Sequence, residues 1–589
     1  MPGTALVARA VGALATGRWK SLAWAGAAIT VGTCLVATRA SGFPLDDAWI
    51  HQDFARTLAT TGRFAYLPGH SGAGSTSPLW VLLLLPPQVL AHGGPPPWEL
   101  TAWAAVLGTI ILGGLALVTG TVAGALARAA GAPREVVALA GPLAAVATLT
   151  EWHLVWAAAS GMETDLFALL ALVVFLAAAR GVRPLALGVF GGLAVAVRPE
   201  GLAVIGVVVV VGAWAVARGV VARRAGARGS EGTATGSEPR AMLTWARVWL
   251  APFVAGALVP LVPYGVLNVV AGGDVLPSTL AAKAAYYGPR DVVVGLGAYA
   301  GQVVTVLLLS SPALVVLLAL SCSHWLLARM ESRPVVTARR SARAGQRTGR
   351  AEVALTHDGG RHDGGRHDGA AKIGAGAEDA GTAAETLARR PTPSLRLMLC
   401  LWCAALVLGY AGRVTELLAH GRYLMPILPE LLALGAGGAA WLLVDQRRRA
   451  LAVAGALVFV GACVVSLGRG AQIYAQNVHF INGIQVNTAI WLRDHTPPGS
   501  LVATHDIGAI GYFGGRPVLD MAGLADPAVV PYLGDQRALE HYLAGRHAAY
   551  VAMFTDWFPP PATLARDLSG RVVYRSRGDA DFVVYRTGW

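Results

Sequence analysis

LTAWAAVLGTIILGGLALVTGTVAGALA, Leu100–Ala127, decides the fold class. It holds no ionisable side chain and exceeds the ~20 apolar residues that an α-helix needs to cross a bilayer. Similar runs recur from Ser21 to Leu467. The whole chain is 55% hydrophobic and 14% charged, where soluble domains carry about a quarter charged residues. Water-soluble classes are thereby excluded, and the reading is an α-helical polytopic membrane protein. Arg9, Arg18 and Lys20 precede the first run with no clear small-residue cleavage site after them, so that run reads as an uncleaved first span.

The arginines orient the spans, because cytoplasmic loops carry the basic excess. Taken outward and inward in turn, the expected spans are Ser21–Thr38, Leu100–Ala127, Val136–Thr150, Leu166–Ala179, Leu185–Val197, Leu202–Ala217, Leu250–Val270, one ending near Leu327, Leu395–Tyr410, Met425–Val444 and Leu451–Leu467. That is about eleven transmembrane helices, with the N-terminus cytoplasmic and the C-terminus outside. Pro78–Leu90 is short and Pro-flanked and reads as re-entrant or interfacial. Arg128 and Arg134, Arg180 and Arg183, and Arg447–Arg449 close inward spans.

The membrane domain is thus expected over residues 1–467, with a first outer loop at 41–77. Low-complexity cytoplasmic loops are expected at about 218–247 and 329–394. Their poor hydrophobicity predicts disorder, and the repeat HDGGRHDGGRHDG, His357–Gly369, reads as linker rather than metal site. Residues 468–589 read as a small extracytoplasmic α/β domain, with a helix at Asn487–Asp494 before Pro497 and short strands near Leu501–Ala503, Ala548–Met553, Val572–Tyr574 and Phe582–Tyr585. The five cysteines fall in expected spans and form no disulfide framework. The net charge of +13 resides largely in the cytoplasmic loops and does not indicate nucleic acid.

With this topology the unusual ionisable residues gather outside. Asp46 and Asp47 open the first loop; Glu163, Arg198 and Glu200, Lys283, and His420 and Arg422 follow in later loops. Ionisable groups at membrane depth are expensive and usually face a cavity or a partner. Ile50, Phe54 and Leu58 share one face of a helix starting at the Asp pair, which reads as an amphipathic helix on the membrane surface. One Asp is accounted for as an N-cap; the second needs another reason, and general base catalysis is the one favoured. Lys283, His420 and Arg422 have two readings, interfacial anchors or a phosphate site. Glu163 either caps the next span or binds a sugar hydroxyl, and Arg198–Glu200 is a local ion pair or a direct ligand. Trp49, Tyr66, Trp80, Trp98 and Trp152 read mostly as belt aromatics.

The segment DDAWIHQDFARTLATTGRFAYLPGHSGAGSTSPLW, Asp46–Trp80, resembles the first outer loop of GT-C class membrane glycosyltransferases. The similarity is to the arabinofuranosyltransferase-like and mannosyltransferase-like branch that uses polyprenyl-phosphate sugars. SGMETDLFALL (Ser160–Leu170), VRPEG (Val197–Gly201), VLPSTLAAKAAYYG (Val275–Gly288), HGRYLMPILPE (His420–Glu430) and HDIGAIGYFGGRPVLDMAGLADP (His505–Pro527) follow in order. The resemblance implies a GT-C-like fold and an inverting transfer from a polyprenyl-phosphate-linked sugar to a cell-envelope glycan, lipid or protein. It implies Asp46 or Asp47 as base, Lys283, His420 and Arg422 on the donor phosphate, and Glu163, Arg198, Glu200 and Trp80 on sugar or acceptor. Relatives carry an acidic residue, as in VEGYT, where this chain reads SGAGSTS, Ser71–Ser77; that bears on specificity. Some members of the class need a divalent metal, and no ligand cluster in this sequence demands one. The competing readings are a lipid-linked sugar flippase or other transporter, and an assembly subunit.

Overall fold

The computed structural model describes residues 19–69, 74–226, 242–272, 292–305, 310–332, 393–411, 418–557, 563–577 and 581–589, with positions 277, 279, 282 and 285. The membrane part runs α1 (Trp19–Thr38), α2 (Asp46–Thr61), α3 (Pro78–Leu90), α4 (Pro97–Ala129), α5 (Arg134–Thr150), α6 (Trp152–Ala159), α7 (Thr164–Ala179), α8 (Pro184–Val197), α9 (Gly201–Gly226), α10 (Ala251–Gly272), α11 (Val292–Val303), α12 (Pro312–Ser332), α13 (Leu395–Ala411), α14 (Leu428–Val444) and α15 (Arg449–Ile481). Among the described residues, seven helices are long and apolar enough to cross a membrane, or eight if the bent pair α5–α6 is one span. The expected count of about eleven also took in α7, α8 and α13, which are apolar but of 14 to 17 residues.

Three boundaries differ from expectation. Glu151 and His153, assigned to an outer loop, are fully buried at the 57° bend between α5 and α6. The polar groups at that break are paired internally: Glu151 accepts from the Ser311 hydroxyl at 3.0 Å and lies 2.6 Å from His153 Nδ1. The Trp152 backbone N–H donates to Ser466 Oγ at 3.1 Å. Broken helices persist inside a membrane protein only where neighbours satisfy the freed groups. Secondly, residue 468 is no boundary in the backbone, because α15 continues unbroken to Ile481. The stretch from Arg449 to Arg469 rises about 30 Å, the thickness of the hydrocarbon core, so hydropathy ends the span there while hydrogen bonding carries the helix on. Thirdly, α9 reaches Gly226 and helix resumes at 242, so the linker expected at 218–247 is narrower. Residues 227–241 and 333–392, with the His repeat, lie outside the described residues.

After a π-turn at Asn482–Val486 the chain forms α16 (Asn487–His495), β1 (Val502–Thr504), α17 (Ile507–Gly514), β2 (Val518–Asp520), α18 (Gln536–Gly545), β3 (Tyr550–Phe554), α19 (Thr563–Asp567), β4 (Val572–Arg575) and β5 (Phe582–Arg586). The five strands make one sheet in the order β2-β1-β3-β5-β4. β1 pairs in parallel with β2 and β3, while β5 is antiparallel to β3 and β4. Because strand side chains alternate between faces, the sheet feeds two cores. Leu519, Val551, Met553 and Val583 pack with Leu539, Leu543, Leu564 and Leu568 on the far side. Val502, Val518, Tyr550, Phe582 and Val584 join a core with Trp49, Phe54, Tyr66, Trp80 and Leu84 from the membrane part. The terminal domain and the segment from Phe43 to Leu84 therefore share a hydrophobic core.

Candidate functional site

α2 is the element that positions the site. It is packed into the protein well beyond the apolar face that its spacing predicts. Its buried residues include Asp46, His51, Gln52, Asp53 and Thr57 beside Trp49 and Phe54. Trp49 is wedged between Phe43 (4.9 Å between ring centres), Tyr512 (5.1 Å) and Phe513 (4.7 Å). So much polar burial is tolerated because these groups meet partners: Gln52 accepts from Gln88 at 3.0 Å, Thr57 donates to the Tyr66 carbonyl at 3.1 Å, Asp53 pairs with Arg56 at 2.8 Å and His51 lies 3.2 Å from Glu163.

The two aspartates part company. Asp46 is 9% exposed. Its Oδ2 accepts the Gly508 N–H and its Oδ1 the Ala509 N–H, both at 2.7 Å. The residue that caps α2 is Leu45; Asp46 instead caps α17, 462 residues away in sequence. A capping side chain of this kind contributes about 1 kcal/mol. Burial pushes its carboxyl well above the usual range, and the nearby Asp506 adds to that, against the pull of the two N–H bonds. Asp47 has 38% of its side chain exposed and meets Arg422 Nη2 at 2.5 Å.

Arg422 is delivered by a strained turn. Ala419 and His420 both have positive φ, 47° and 60°, followed by Gly421 at 75°. Left-handed non-glycine residues in succession are costly and cluster at functional sites. The turn feeds a short 3₁₀ segment, Met425–Ile427, and then α14. Besides Asp47, Arg422 donates to the Tyr423 hydroxyl at 3.2 Å. Its Nε and Nη1 are buried without a hydrogen-bond partner among the described residues.

A second network adjoins through Tyr423, which lies under both the Arg422 and the Arg198 guanidinium, at 5.1 and 5.6 Å. Arg198 donates to Glu163 Oε1 at 3.1 Å and to Glu200 Oε1 at 2.8 Å. His51 Nε2 lies 3.2 Å from the other Glu163 oxygen, and the Tyr410 hydroxyl donates to Glu200. Tyr410 stacks on Tyr423 with 5.1 Å between ring centres. The VRPEG pair is thus a local ion pair extended to Glu163. Burial raises the Glu163 carboxyl, but the His51 hydrogen bond and the Arg198 charge outweigh it and hold the group at about 2. A carboxyl depressed on folding contributes stability that is complete above its ordinary value of about 4.5 and lost as pH falls towards 2. Melting curves of wild type and Glu163→Gln in detergent should therefore differ fully at pH 6 and converge progressively as pH falls from 4.5 towards 2. A difference independent of pH would contradict the assignment.

Of the residues expected at the site, Asp47, Arg422, Glu163, Arg198 and Glu200 come together. Asp46 sits one residue away but is committed to α17. His420 turns elsewhere: its Nε2 is 2.8 Å from Asn477 Oδ1, and its ring meets Trp152 and Trp156 edge-on, each at 5.4 Å. Trp80 is corrected from ligand contact to packing, since it is 1% exposed and its indole N–H donates to the Gly161 carbonyl at 2.7 Å. Of the expected belt aromatics Trp49, Tyr66 and Trp152 are likewise buried, and Trp98 is exposed. Lys283 lies outside the described residues. His51, Tyr410 and Tyr423 were not singled out. His51 follows Asp47 at i+4, the spacing that puts two side chains on one helix face, and that signal was legible. Among the described residues no group of three or more His, Cys, Asp or Glu side chains is placed to hold a metal ion.

Comparison with solved structures places this geometry in a known fold. The chain is similar to ArnT from Cupriavidus metallidurans bound to undecaprenyl phosphate, at 15% identity and TM-score 0.46, over 95% of this chain and 97% of that one. It is also similar to the archaeal oligosaccharyltransferase AglB from Archaeoglobus fulgidus, in complex with an inhibitory peptide and a dolichol-phosphate. Here the identity is 15% and the TM-score 0.50, over 98% of this chain and 75% of that one. A family model described as a domain of unknown function (DUF8728) matches residues 471–585. No curated protein sequence matches the chain. The fold is a GT-C-like polytopic membrane bundle with a small C-terminal sheet domain.

Proposed function

We propose that the chain is a membrane glycosyltransferase that moves a sugar from a polyprenyl-phosphate donor to a hydroxyl of a cell-envelope glycan, lipid or protein. The observation that carries this is the Asp47–Arg422 pair, a half-exposed carboxylate on a guanidinium with two buried, unused donor nitrogens. A buried cation with spare donors fits an anionic ligand, and the adjacent carboxylate fits a base. The GT-C-like fold supports the reading, since its AglB example holds a dolichol-phosphate. The basic excess of the opposite loops supports an outward-facing site.

In this mechanism Asp47 takes the proton of the acceptor hydroxyl as the oxygen attacks the anomeric carbon. The bond to the lipid phosphate breaks, its electron pair stays on the phosphate oxygen, and the configuration inverts. Arg422 offers Nη2 to the base and Nε and Nη1 to the phosphate, so one cation steadies both ends of the reaction. Such preorganised donors are effective because they are already desolvated. Lys283 is the second proposed phosphate ligand; His420, engaged by Asn477, is not one. The Glu163–Arg198–Glu200 network, with His51 and Tyr410, holds Tyr423 and lines the sugar side.

The test is purified protein in a lipid nanodisc with a labelled polyprenyl-phosphate pentose or hexose and a glycan acceptor. The expected result is labelled glycan with release of one polyprenyl phosphate per sugar transferred. If no donor is consumed while lipid-linked sugar crosses between leaflets of a proteoliposome, the chain is a flippase and the proposal fails.

A further inference from the structure

The terminal domain meets α2 through α17, and that helix is held at both ends by α2. At its start, Asp46 accepts the Gly508 and Ala509 N–H groups. At its end, Arg56 donates to the Tyr512 carbonyl at 2.7 Å and the Gly511 carbonyl at 3.1 Å, while also pairing with the buried Asp53 at 2.8 Å. Acceptor oxygens at the N-terminal N–H groups and a cation at the C-terminal carbonyls both complement the helix ends. The Arg56 guanidinium also lies over the Tyr512 ring at 4.2 Å. From the loop after α2, the Tyr66 hydroxyl donates to the Ile507 carbonyl.

The contact is as close as backbone allows. A Cβ on Gly508 would stand 2.1 Å from the Asp46 carbonyl oxygen and 2.8 Å from its Oδ2. One on Gly511 would stand 2.2 Å from the Tyr66 hydroxyl and 2.8 Å from Asp53 Oδ2. Gly508 and Gly511 are three apart, so both lie on the α17 face turned to α2. Neither position has room for a side chain, and the sequence IGAIG supplies none.

Asp46 and Asp47 are consecutive on the first turn of α2, so whatever fixes the backbone at Asp46 fixes the base beside it. We infer that the terminal domain is a positioning element of the catalytic centre, and that Asp46 and Arg56 are its positioning residues. In this account α17 is the rigid template against which the first turn of α2 is set, and Asp47 is thereby aimed at Arg422. This rests on the proposed role of Asp47. It gives residues 505–514 a task other than glycan recognition: detaching the helix should impair turnover while leaving the donor site intact.

The experiment combines hydrogen exchange with kinetics on the full chain, comparing wild type, Asp46→Asn, Gly508→Ala and Asp535→Ala. Asp535 caps α18 within the same domain, away from α2, and serves as the control. For Asp46→Asn and Gly508→Ala, amide exchange is expected to rise at least tenfold in both 46–58 and 505–514. Turnover should fall about a hundredfold, with the donor KM within threefold of wild type. Asp535→Ala should leave turnover within twofold. A merely structural role would lower the melting temperature without splitting turnover from KM. If Gly508→Ala does not fold, Asp46→Asn, which removes one of the two N–H acceptors and adds no bulk, decides alone. The inference is overturned if exchange rises in 505–514 but not in 46–58, or if it rises in both with turnover unchanged. Absence of sugar transfer by wild type would instead sink the functional reading, and the exchange coupling can still be read without turnover.

Discussion

Asp47→Asn is expected to lower turnover about a thousandfold or more while the polyprenyl-phosphate donor binds within a few-fold of wild type. The size follows from the role: a positioned general base contributes roughly 10²–10⁴ in rate, and an amide cannot take the acceptor proton. The split follows from the geometry. Arg422 engages Asp47 through Nη2 alone, leaving Nε and Nη1 for the phosphate, so removing the charge of Asp47 leaves the anion contacts in place. The fold should tolerate the change, because 38% of the Asp47 side chain is already in solvent. Steady-state transfer and equilibrium binding of a non-transferable donor analogue measure the two quantities separately. Turnover within threefold of wild type would remove Asp47 from the chemistry, and with it the mechanism.

Arg422→Gln is expected to damage both quantities, with turnover down about 10²–10³-fold, the range for losing one preorganised donor to developing charge, and donor affinity down at least tenfold. The glutamine reaches no further than one of the three contacts and carries no charge. Arg422→Lys should recover only a small part, because a point charge on a flexible stem cannot address the carboxylate and the phosphate from separate edges of one plane. The same two assays decide. If Arg422→Gln bound donor as wild type, the phosphate would be held elsewhere, and Lys283 would be the first residue to test.

Hydropathy exposed the membrane class because it is a property of consecutive residues. It was less informative about ends. α15 passes its membrane boundary as continuous helix, since the backbone hydrogen bonds that maintain a helix do not respond to the solvent change that ends a span. The break at Glu151 reads in sequence as the mouth of a loop, because the partners that make it a buried bend, Ser311 and Ser466, lie far along the chain. β2 escaped notice because three residues, Val518–Asp520, show no period. Trp80 illustrates the limit for single residues: an indole beside a polar loop has the same composition whether it faces a ligand or donates to the Gly161 carbonyl.

The sequence alone determined that the chain is a membrane protein and that two adjacent aspartates follow its first apolar run. Only the tertiary structure separated those two. Successive side chains on a helix diverge by about 100°, so Asp46 and Asp47 face different neighbours. One meets the start of a helix 462 positions away, the other an arginine 375 positions away. Nothing local to the pair distinguishes them. Their difference is made entirely by what folding brings opposite each.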